Sequence, residues 1–236
     1  MSLSTESRIP ILYEDNHILV VEKPVNILSQ ADSTQDEDML SLLKADLKLR
    51  YHKPGNVYLG LVHRLDRPVG GAMVFAKTSK AASRLSDTVR KHELGKEYAA
   101  VVHGTPSQKN GTLVHSLLKN ERTNTVKAVP NGTAGSKLAK LDYETIGTHE
   151  QLSLVRIHLH TGRPHQIRVQ MNEIGCPLYG DQKYGAQVNR AGQQIALWSI
   201  KLSFPHPTTK EWMTFYSAPP EAYPWNQWTT SNWLQS

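Results

Sequence analysis

The sequence predicts an α+β fold, in which a largely antiparallel mixed sheet is flanked by helices and loops. Two segments, 139–145 and 153–160, alternate apolar with polar residues, which is typical of half-exposed strands. Apolar residues at helical spacing are confined to a few short segments, and the chain shows no repeats or low-complexity tracts. At 236 residues the chain is long enough to bury a core, so we expect a single domain over 1–236.

The first half of the chain is expected to form a hairpin, two helices and two further strands. Apolar runs on either side of a polar turn predict the hairpin at 11–21, and further strands are predicted at 72–76 and 98–102. Helices are predicted over 39–49 and from the N-cap Ser79 to about His92. The acidic, serine-containing segment 31–38 before the first of these helices is expected to be a mobile loop.

A short helix is predicted around Arg168. Pro164 suits its first turn, Gly175 marks its end, and apolar residues follow at helical spacing in between, namely Ile167, Met171 and Ile174. Arg168 would lie one position round from this buried stripe. We expect a flexible N-terminus at 1–10 and an aromatic tail at 208–236 that packs on the domain, although its rings could also form an RNA-stacking surface.

Composition and charge favour a polyanionic partner only mildly. Lys and Arg number 27 against 21 Asp and Glu, which gives a net charge of +6 and a pI near 9.3. The single cysteine, Cys176, excludes an internal disulfide and a cysteine-based zinc site, which is typical of a reducing compartment. The polar N-terminus lacks an apolar signal core, and no apolar run reaches the ~18 residues of a membrane helix. We therefore expect a cytoplasmic, soluble protein.

The segment His63-Arg64-Leu65-Asp66-Arg67 places one carboxylate between two arginines, directly before Gly70-Gly71 and an apolar strand. Opposite charge within reach lowers the pKa of a carboxyl group, and guanidinium pairs with carboxylate or phosphate through a planar fork. An aspartate held in this way stays ionised. Asp66 is therefore a candidate nucleophile or general base.

This segment is the first of four motifs that occur in a characteristic order. The chain has H-R-L-D at 63–66, K-x-Y at 96–98, T-G-R-x-H-Q-I-R at 161–168 and G-x-P-x-x-G-D-x-x-Y-G at 175–185. Together they resemble the RluA-type pseudouridine synthases, which isomerise uridine in RNA. The resemblance runs from about residue 11 to about residue 207.

The resemblance implies a pseudouridine synthase catalytic fold, with the catalytic cleft across the sheet. Asp66 aligns with the catalytic aspartate of the family. The reaction breaks the bond between N1 of uracil and C1′ of the ribose, turns the base and rejoins it through C5. The carboxylate could attack C1′ or remove a proton from C2′, and the sequence leaves both routes open. No redox change or external group transfer occurs, so no cofactor and no metal is expected.

The resemblance also implies roles for residues around Asp66. Arg168 matches the arginine that pairs with the aspartate, and Tyr98 matches the residue that stacks on or beside the reacting base. Arg64 resembles the arginine that fills the gap left by a flipped-out nucleotide, because C1′ and C5 cannot be reached within a stacked helix. Ile167 resembles the apolar residue that lines the base pocket. Further candidates for RNA contact are His63, Arg163 and Arg67.

The implied partner is RNA, a stem-loop of rRNA or tRNA. The N-terminal RNA-binding module of some larger relatives is expected to be missing, so the catalytic domain would read the RNA itself; no obligate protein partner is implied, and we expect a monomer. Two segments depart from the common family pattern. Residues 69–71 read V-G-G where many members have Thr-Ser-Gly or Thr-Thr-Gly, and residues 23–26 read K-P-V-N where the family has K-P-x-G.

Other classes of function fit the sequence less well. Residues 71–78 nearly spell a phosphate-binding G-x-x-x-x-G-K-T loop, but the second glycine is Ala76 and the intervening residues form a predicted strand. His158, His160 and His165 could be imagined as metal ligands, yet His158 and His160 share a strand face two residues apart and no acidic ligand is expected nearby. The serious alternative is a non-catalytic RNA-binding or RNA-folding protein on the same scaffold, and the presence of both Asp66 and Arg168 argues against it.

Overall fold

The computed structural model describes residues 9–230 and 233–234, so most of the N-terminus predicted to be flexible lies outside the described residues. In chain order the strands are β1 (Ile11–Glu14), β2 (Ile18–Lys23), β3 (Gly60–Leu61), β4 (Gly70–Ala76), β5 (Gly95–His103), β6 (Asn110–Asn120), β7 (Thr125–Val129), β8 (Lys137–His149), β9 (Leu152–Leu159), β10 (Leu197–Pro205) and β11 (Trp212–Tyr216). The helices are α1 (Met39–Arg50), α2 (Ser79–Arg90) and α3 (Gln166–Glu173), with a short 3₁₀ turn at Trp225–Gln227.

The described chain divides into two compact units. The first holds the residues up to Leu94 and the segment Lys201–Ser217, and the second holds Gly95–Ile200 and the described residues from Ala218 onwards. Strand β10 therefore begins in the second unit and ends in the first. The predicted single domain over 1–236 stays a prediction.

The first unit is built on the predicted hairpin. Strands β1, β2 and β4 pair antiparallel in that order, β3 pairs with β4, and the first-unit part of β10 pairs antiparallel with β11. Every residue of β4 is buried. The core is formed by one face of these strands together with α2, through Ile18, Val20, Ala72, Val74, Ala76, Ala81, Leu85, Leu94, Leu202 and Phe204.

The two long helices lie where the sequence predicts them, with one correction. Asp38 caps α1 by accepting a hydrogen bond from the Ser41 N–H at 3.1 Å. The cap of α2 is Thr78, whose hydroxyl accepts from the Ala81 N–H at 3.1 Å, so the predicted cap Ser79 is instead the first helical residue. The segment 31–37 lies exposed outside helices and strands, and its mobility stays a prediction.

The second unit is an antiparallel sheet with strand order β5-β9-β8-β6-β7. The alternation predicted for β8 is confirmed, because Ala139, Leu141, Tyr143 and Thr145 are buried between more exposed neighbours. Strands β6, β7 and β10 were not predicted. The α+β class and the largely antiparallel sheet are confirmed. Among the helices of the described ranges, none is long and apolar enough to cross a membrane.

Helix α3 is shorter and more deeply buried than predicted. His165, with φ of 52°, precedes its first residue, so Pro164 lies before the helix instead of in its first turn. All residues from Gln166 to Met171 are buried, and Arg168 therefore lies inside the fold instead of beside a buried stripe. The predicted stop at Gly175 is confirmed, because Gly175 has φ of 75° and the Cys176 N–H donates to the Met171 carbonyl at 3.0 Å.

Candidate active site

Asp66 lies in the first unit, on the connection between β3 and β4, where residues 62–69 form neither helix nor strand. The Asp66 side chain is half-buried, whereas Arg64 and Arg67 are exposed. A carboxylate on an irregular segment needs other groups to fix its position, since no ladder of backbone hydrogen bonds does so.

Side chains from neighbouring elements hold the residues that precede Asp66. The Ser29 hydroxyl donates to the Leu65 carbonyl at 2.7 Å, and the Leu65 N–H donates back to the same hydroxyl at 3.1 Å. Further upstream, the Val74 N–H of β4 donates to His63 Nε2 at 3.1 Å. His63 and Ser29 thus fix the backbone on the N-terminal side of Asp66.

Lys23 holds the C-terminal side of the same segment. Its side chain is fully buried, and Nζ donates to the carbonyls of Arg67 at 3.1 Å, Val69 at 2.8 Å and Pro24 at 3.0 Å. The Arg67 carbonyl also accepts from the Asn26 N–H at 2.8 Å, and the Val69 N–H donates to the Asp66 carbonyl at 3.0 Å. The backbone around Asp66 is therefore fixed on both sides.

Burial has a strong effect on the ionisation of Lys23. It lowers the pKa of the Lys23 amine from its usual 10.5 to about 7, while the charge of Asp66 raises that pKa and the charge of Arg67 lowers it. Lys23 and Asp66 are therefore coupled electrostatically as well as through the shared backbone.

Lys23 should make the stability of the protein depend on pH. Because its pKa is lower in the folded protein than in the unfolded chain, the unfolded chain binds more protons from about pH 7 up to 10.5. The free energy of unfolding should therefore rise with pH above 7, by at most about 1.4 kcal/mol per pH unit from this group. Urea unfolding at pH 7.0 and ~8.5 of wild type and Lys23→Met measures the effect. Equal pH slopes in the two proteins would contradict it.

Arg67, one of the two arginines that flank Asp66 in the sequence, also has contacts with other segments of the first unit. The Arg67 guanidinium pairs with Asp36 at 2.7 Å and donates to the Asn26 carbonyl at 3.2 Å. Arg67 thus ties the exposed acidic loop to the turn after β2. Arg64 remains an exposed cation next to Asp66 in sequence.

The departure from the family pattern at residue 26 has a conformational explanation. Asn26 occupies the position where the family has glycine and adopts φ of 66°, in the left-handed region. Asparagine tolerates this region better than other residues with a side chain. The turn that presents Asn26 to the Arg67 carbonyl is thus kept without glycine.

Arg168 lies in the second unit and forms a buried fork with Asp181. Nε donates to Asp181 Oδ2 and Nη2 donates to Asp181 Oδ1, each at 2.8 Å, and both side chains are more than nine-tenths buried. The guanidinium also lies 5.1 Å from the centre of the Tyr184 ring. Two parallel charge-assisted hydrogen bonds fix the plane of the guanidinium.

The G-D-x-x-Y-G motif explains how Asp181 is positioned. Asp181 Oδ1 also accepts from the N–H groups of Lys183 at 3.0 Å and Tyr184 at 3.2 Å. Gly180 has φ of 78°, and a Cβ added there would lie 2.1 Å from the Gln194 carbonyl oxygen, so only glycine fits before Asp181. The motif therefore serves to place the carboxylate under Arg168.

His165 and Gln166 order the loop before α3. The Val126 N–H donates to the Tyr184 hydroxyl at 2.9 Å, and His165 Nδ1 is hydrogen-bonded to the same hydroxyl at 2.6 Å. Gln166 Oε1 accepts from the Thr161 hydroxyl at 2.7 Å and the Arg163 N–H at 3.0 Å. These contacts fix the loop before α3 against β7 and against Thr161.

The remaining predicted site residues of the second unit are largely buried. Tyr98 on β5 is 6% exposed, and it lies opposite Ile157 of β9. Ile167 on α3 is 4% exposed. Arg163 is half-buried, and its Nε donates to the Leu138 carbonyl at 2.9 Å.

Of the histidines that were considered as metal ligands, His158 and His160 have ring centres 5.0 Å apart, whereas His165 contacts the Tyr184 hydroxyl. His160 Nε2 lies 2.6 Å from Asp142 Oδ2, so an acidic residue does lie close in space, on the neighbouring strand. The hydroxyl of Thr112 and then His160 hold the pKa of Asp142 below its usual value. Among the residues described here, no group of three or more His, Cys, Asp or Glu is placed to hold a metal ion. Residues 71–76 lie in the buried strand β4, which excludes the phosphate loop.

Sequence reasoning missed the roles of Lys23, Ser29 and Asp181. Lys23 and Asp181 stand in motifs that were noticed, but their partners are backbone groups and a helix residue distant in sequence. A local sequence pattern does not predict a contact with a residue that is distant in the sequence. A lysine at the end of an apolar strand and a G-D pair were the available signals.

Comparison with known proteins points to one family. The family described as RNA pseudouridylate synthase matches residues 17–173. The chain is 34% identical over 230 residues to ribosomal large subunit pseudouridine synthase D of Haemophilus influenzae, covering 90% of this chain and 68% of that protein. It is also 34% identical over 206 residues to the uncharacterized RNA pseudouridine synthase YhcT of Bacillus subtilis, covering 85% of this chain and 65% of that protein.

Two solved human structures share the fold. Human RNA pseudouridylate synthase domain containing 4 superposes with a TM-score of 0.76 at 20% identity, covering 89% of this chain and 88% of that one. Human RNA pseudouridylate synthase domain containing 1 gives a TM-score of 0.71 at 24% identity, covering 95% and 88%.

Proposed function

The chain belongs to the RNA pseudouridylate synthase family, and from this premise we propose that it converts selected uridines of ribosomal RNA to pseudouridine with Asp66 as its catalytic group. The observation that carries the proposal is the fixed position of Asp66, whose backbone is held by Ser29 on one side and Lys23 on the other. Ribosomal RNA is proposed because the Haemophilus influenzae relative is named for the large ribosomal subunit.

The proposed reaction needs one carboxylate and no change of redox state. The C1′–N1 bond breaks, the uracil turns and a C1′–C5 bond forms. C5 then loses its proton and N1 gains one, so the product is an isomer of uridine. An ionised Asp66 could either attack C1′ and be displaced later, or take a proton from C2′ and return it. Both routes need the carboxylate to be unprotonated and held in one place. The hydrogen bonds of Ser29 and Lys23 to the backbone of residues 65–69 hold it in place.

We assign Arg168 a part in the same reaction through its fixed guanidinium. The fork to Asp181 uses Nε and Nη2, and it orients the whole guanidinium plane. An arginine whose orientation is set by a buried carboxylate can hold a second anion without losing side-chain entropy at that moment. Asp181 would then act as a positioning residue for Arg168.

The candidates for RNA contact can be ranked by the exposure of their side chains and by the hydrogen bonds and ion pairs that they already make within the protein. Arg64 is exposed and is the best candidate for the side chain that enters the gap left by a flipped nucleotide. His63, Arg67 and Arg163 each already serve a contact within the protein. Ile167 is proposed to line the base pocket, as its apolar side chain suits the uracil ring.

Tyr98 is proposed to support the reacting base with its ring. Tyr98→Phe should then keep RNA binding and turnover, while Tyr98→Leu should lose ~1 to 3 kcal/mol of binding free energy. Filter binding of substrate RNA measures the loss. Tyr143 is a matched control, because it is 7% exposed and lies opposite the same Ile157 from β8. If Tyr98→Leu and Tyr143→Leu lose equal stability and neither loses RNA binding, Tyr98 is only a core residue.

The decisive experiment maps pseudouridine in cells. Total RNA from a deletion strain, a complemented strain and a strain with Asp66→Ala is labelled with carbodiimide and sequenced. We expect one or a few sites to vanish in the deletion, to return with the wild-type gene and to stay absent with Asp66→Ala. Purified protein should convert the same sites in protein-free ribosomal RNA.

Three other outcomes have definite meanings. If the lost sites lie in tRNA, the reaction stands and the substrate class is wrong. If a site returns with Asp66→Ala, the protein acts there without its own chemistry. If no site depends on the gene and purified protein converts no uridine, the non-catalytic RNA-binding alternative replaces this proposal.

A further inference from the structure

Strand β11 presents an exposed aromatic face that the catalytic assignment does not use. Trp212 is 63% exposed and Tyr216 is 39% exposed, whereas Met213 and Phe215 on the opposite face pack against the core of the first unit. Exposed tryptophan is uncommon, and the other tryptophans of the chain, Trp198, Trp225, Trp228 and Trp233, are buried or half-buried. We call Trp212, Thr214 and Tyr216, with their partners on β10, the β11 face.

The β11 face is rigid without help from its exposed rings. At one end His206 Nε2 donates to Asp15 Oδ2 at 2.9 Å, and its Nδ1 accepts from the Thr209 N–H at 3.0 Å. At the other end the Ser217 hydroxyl donates to Glu22 Oε2 at 2.6 Å. These contacts fix both ends of β11, and they do not involve the side chains of Trp212 and Tyr216.

The chemistry of the β11 face suits single-stranded RNA. Lys201 lies opposite Tyr216 in the strand pair, with its Nζ 5.9 Å from the ring centre, and Ser203 lies opposite Thr214. Ser203 and Thr214 lie between the two rings, so the β11 face is not one continuous apolar patch of the kind that marks many protein-binding sites. Aromatic rings beside a lysine are typical of surfaces on which successive bases stack while the cation meets the phosphates.

The spacing of the rings defines how RNA would lie on them. Trp212 and Tyr216 are four residues apart on one strand, which separates their Cα atoms by about 13 Å. Bases stacked on each other are only about 3.4 Å apart. The two rings would therefore take two splayed bases that are not stacked neighbours.

We propose that Trp212 and Tyr216 form an accessory binding site for an unpaired stretch of the substrate RNA. The site rests on the proposed function in so far as RNA is the substrate. It adds affinity for unpaired nucleotides beyond those in the catalytic site, and thereby selects uridines that have a single-stranded flank.

The test measures binding of a single-stranded oligouridylate of about 8 nucleotides to full-length protein. Trp212→Leu keeps apolar area but loses the ring, and should bind between about 5-fold and about 150-fold more weakly. Trp212→Phe keeps a ring and should bind within about 3-fold of wild type. Titration should also quench the fluorescence of Trp212 in the wild-type protein. Tyr58, 49% exposed on another segment of the first unit, supplies the control Tyr58→Leu.

Definite results would overturn the inference. They are Trp212→Leu binding as tightly as wild type, Tyr58→Leu losing as much as Trp212→Leu, or a wild-type dimer that Trp212→Leu dissociates in sedimentation. The last would make the β11 face an interface between copies of the chain. Binding of the oligouridylate tests the β11 face and needs no turnover. Conversion of uridine by the wild-type protein tests the proposed function, so the inference and the proposed function can fail independently.

Discussion

Asp66→Asn should abolish conversion of uridine to pseudouridine. The amide cannot act as the nucleophile at C1′ or as the base at C2′, so both routes are lost together. The half-buried side chain keeps its size, and the bonds that fix residues 65–69 are made by backbone groups and by Ser29 and Lys23. RNA binding should therefore stay within roughly tenfold of wild type, about 1.4 kcal/mol.

Release of tritium from C5-labelled uridine in RNA measures this loss, and filter binding measures affinity. Asp87→Asn is the control, since Asp87 is an exposed carboxylate on α2 whose only described ion pair is with Arg90 of the same helix. Turnover near the wild-type rate in Asp66→Asn would remove the catalytic assignment. Loss of RNA binding together with turnover would mean that Asp66 serves the fold of the loop instead of the chemistry.

Asp181→Asn should destabilise the second unit by about 3 to 5 kcal/mol. The substitution leaves the Arg168 guanidinium buried without its counter-charge, and the new amide N–H₂ group faces the guanidinium donors. The amide oxygen of the new side chain would still accept from the Lys183 and Tyr184 N–H groups, so the loss reports the ion pair itself. Urea unfolding followed by circular dichroism measures it.

Two companion variants separate stability from catalysis. Arg168→Lys replaces a planar fork with a point charge, so it should recover little turnover even where the protein stays folded. The double variant Arg168→Met/Asp181→Leu removes both charges and should be more stable than Asp181→Asn, yet inactive. An active double variant would show that the pair only supports the fold, and a fully active Arg168→Lys would count against a role for the fork.

The parts of the fold that local patterns determine were predicted well. The hairpin of β1 and β2, the buried strand β4 and both long helices follow from apolar periodicity and caps. Strand β6 escaped prediction because its apolar residues come in adjacent pairs, Leu113-Val114 and Leu117-Leu118, which break a period of two and instead fit the i, i+3, i+4 spacing of a helix.

The candidate site, like the fold, could be predicted only in part. The sequence motifs identified Asp66, Arg168 and Tyr98, and these roles stay predictions. The sequence could not reveal that a lysine at the end of β2 binds three carbonyls, or that a helix with six consecutive buried residues hides Arg168. Such contacts join segments distant in sequence, and only the folded chain specifies them.

The passage of β10 from one unit to the other has a consequence for the order in which the protein is made. Leu202 and Phe204 belong to the core of the first unit, although the ribosome adds them after the whole segment Gly95–Ile200. During synthesis the core of the first unit therefore stays incomplete after its residues up to Leu94 have been made. The strands of the second unit, β5 to β9, can pair with one another before then. A nascent chain that stalls before Lys201 would expose β4, and a chaperone would find its apolar surface there.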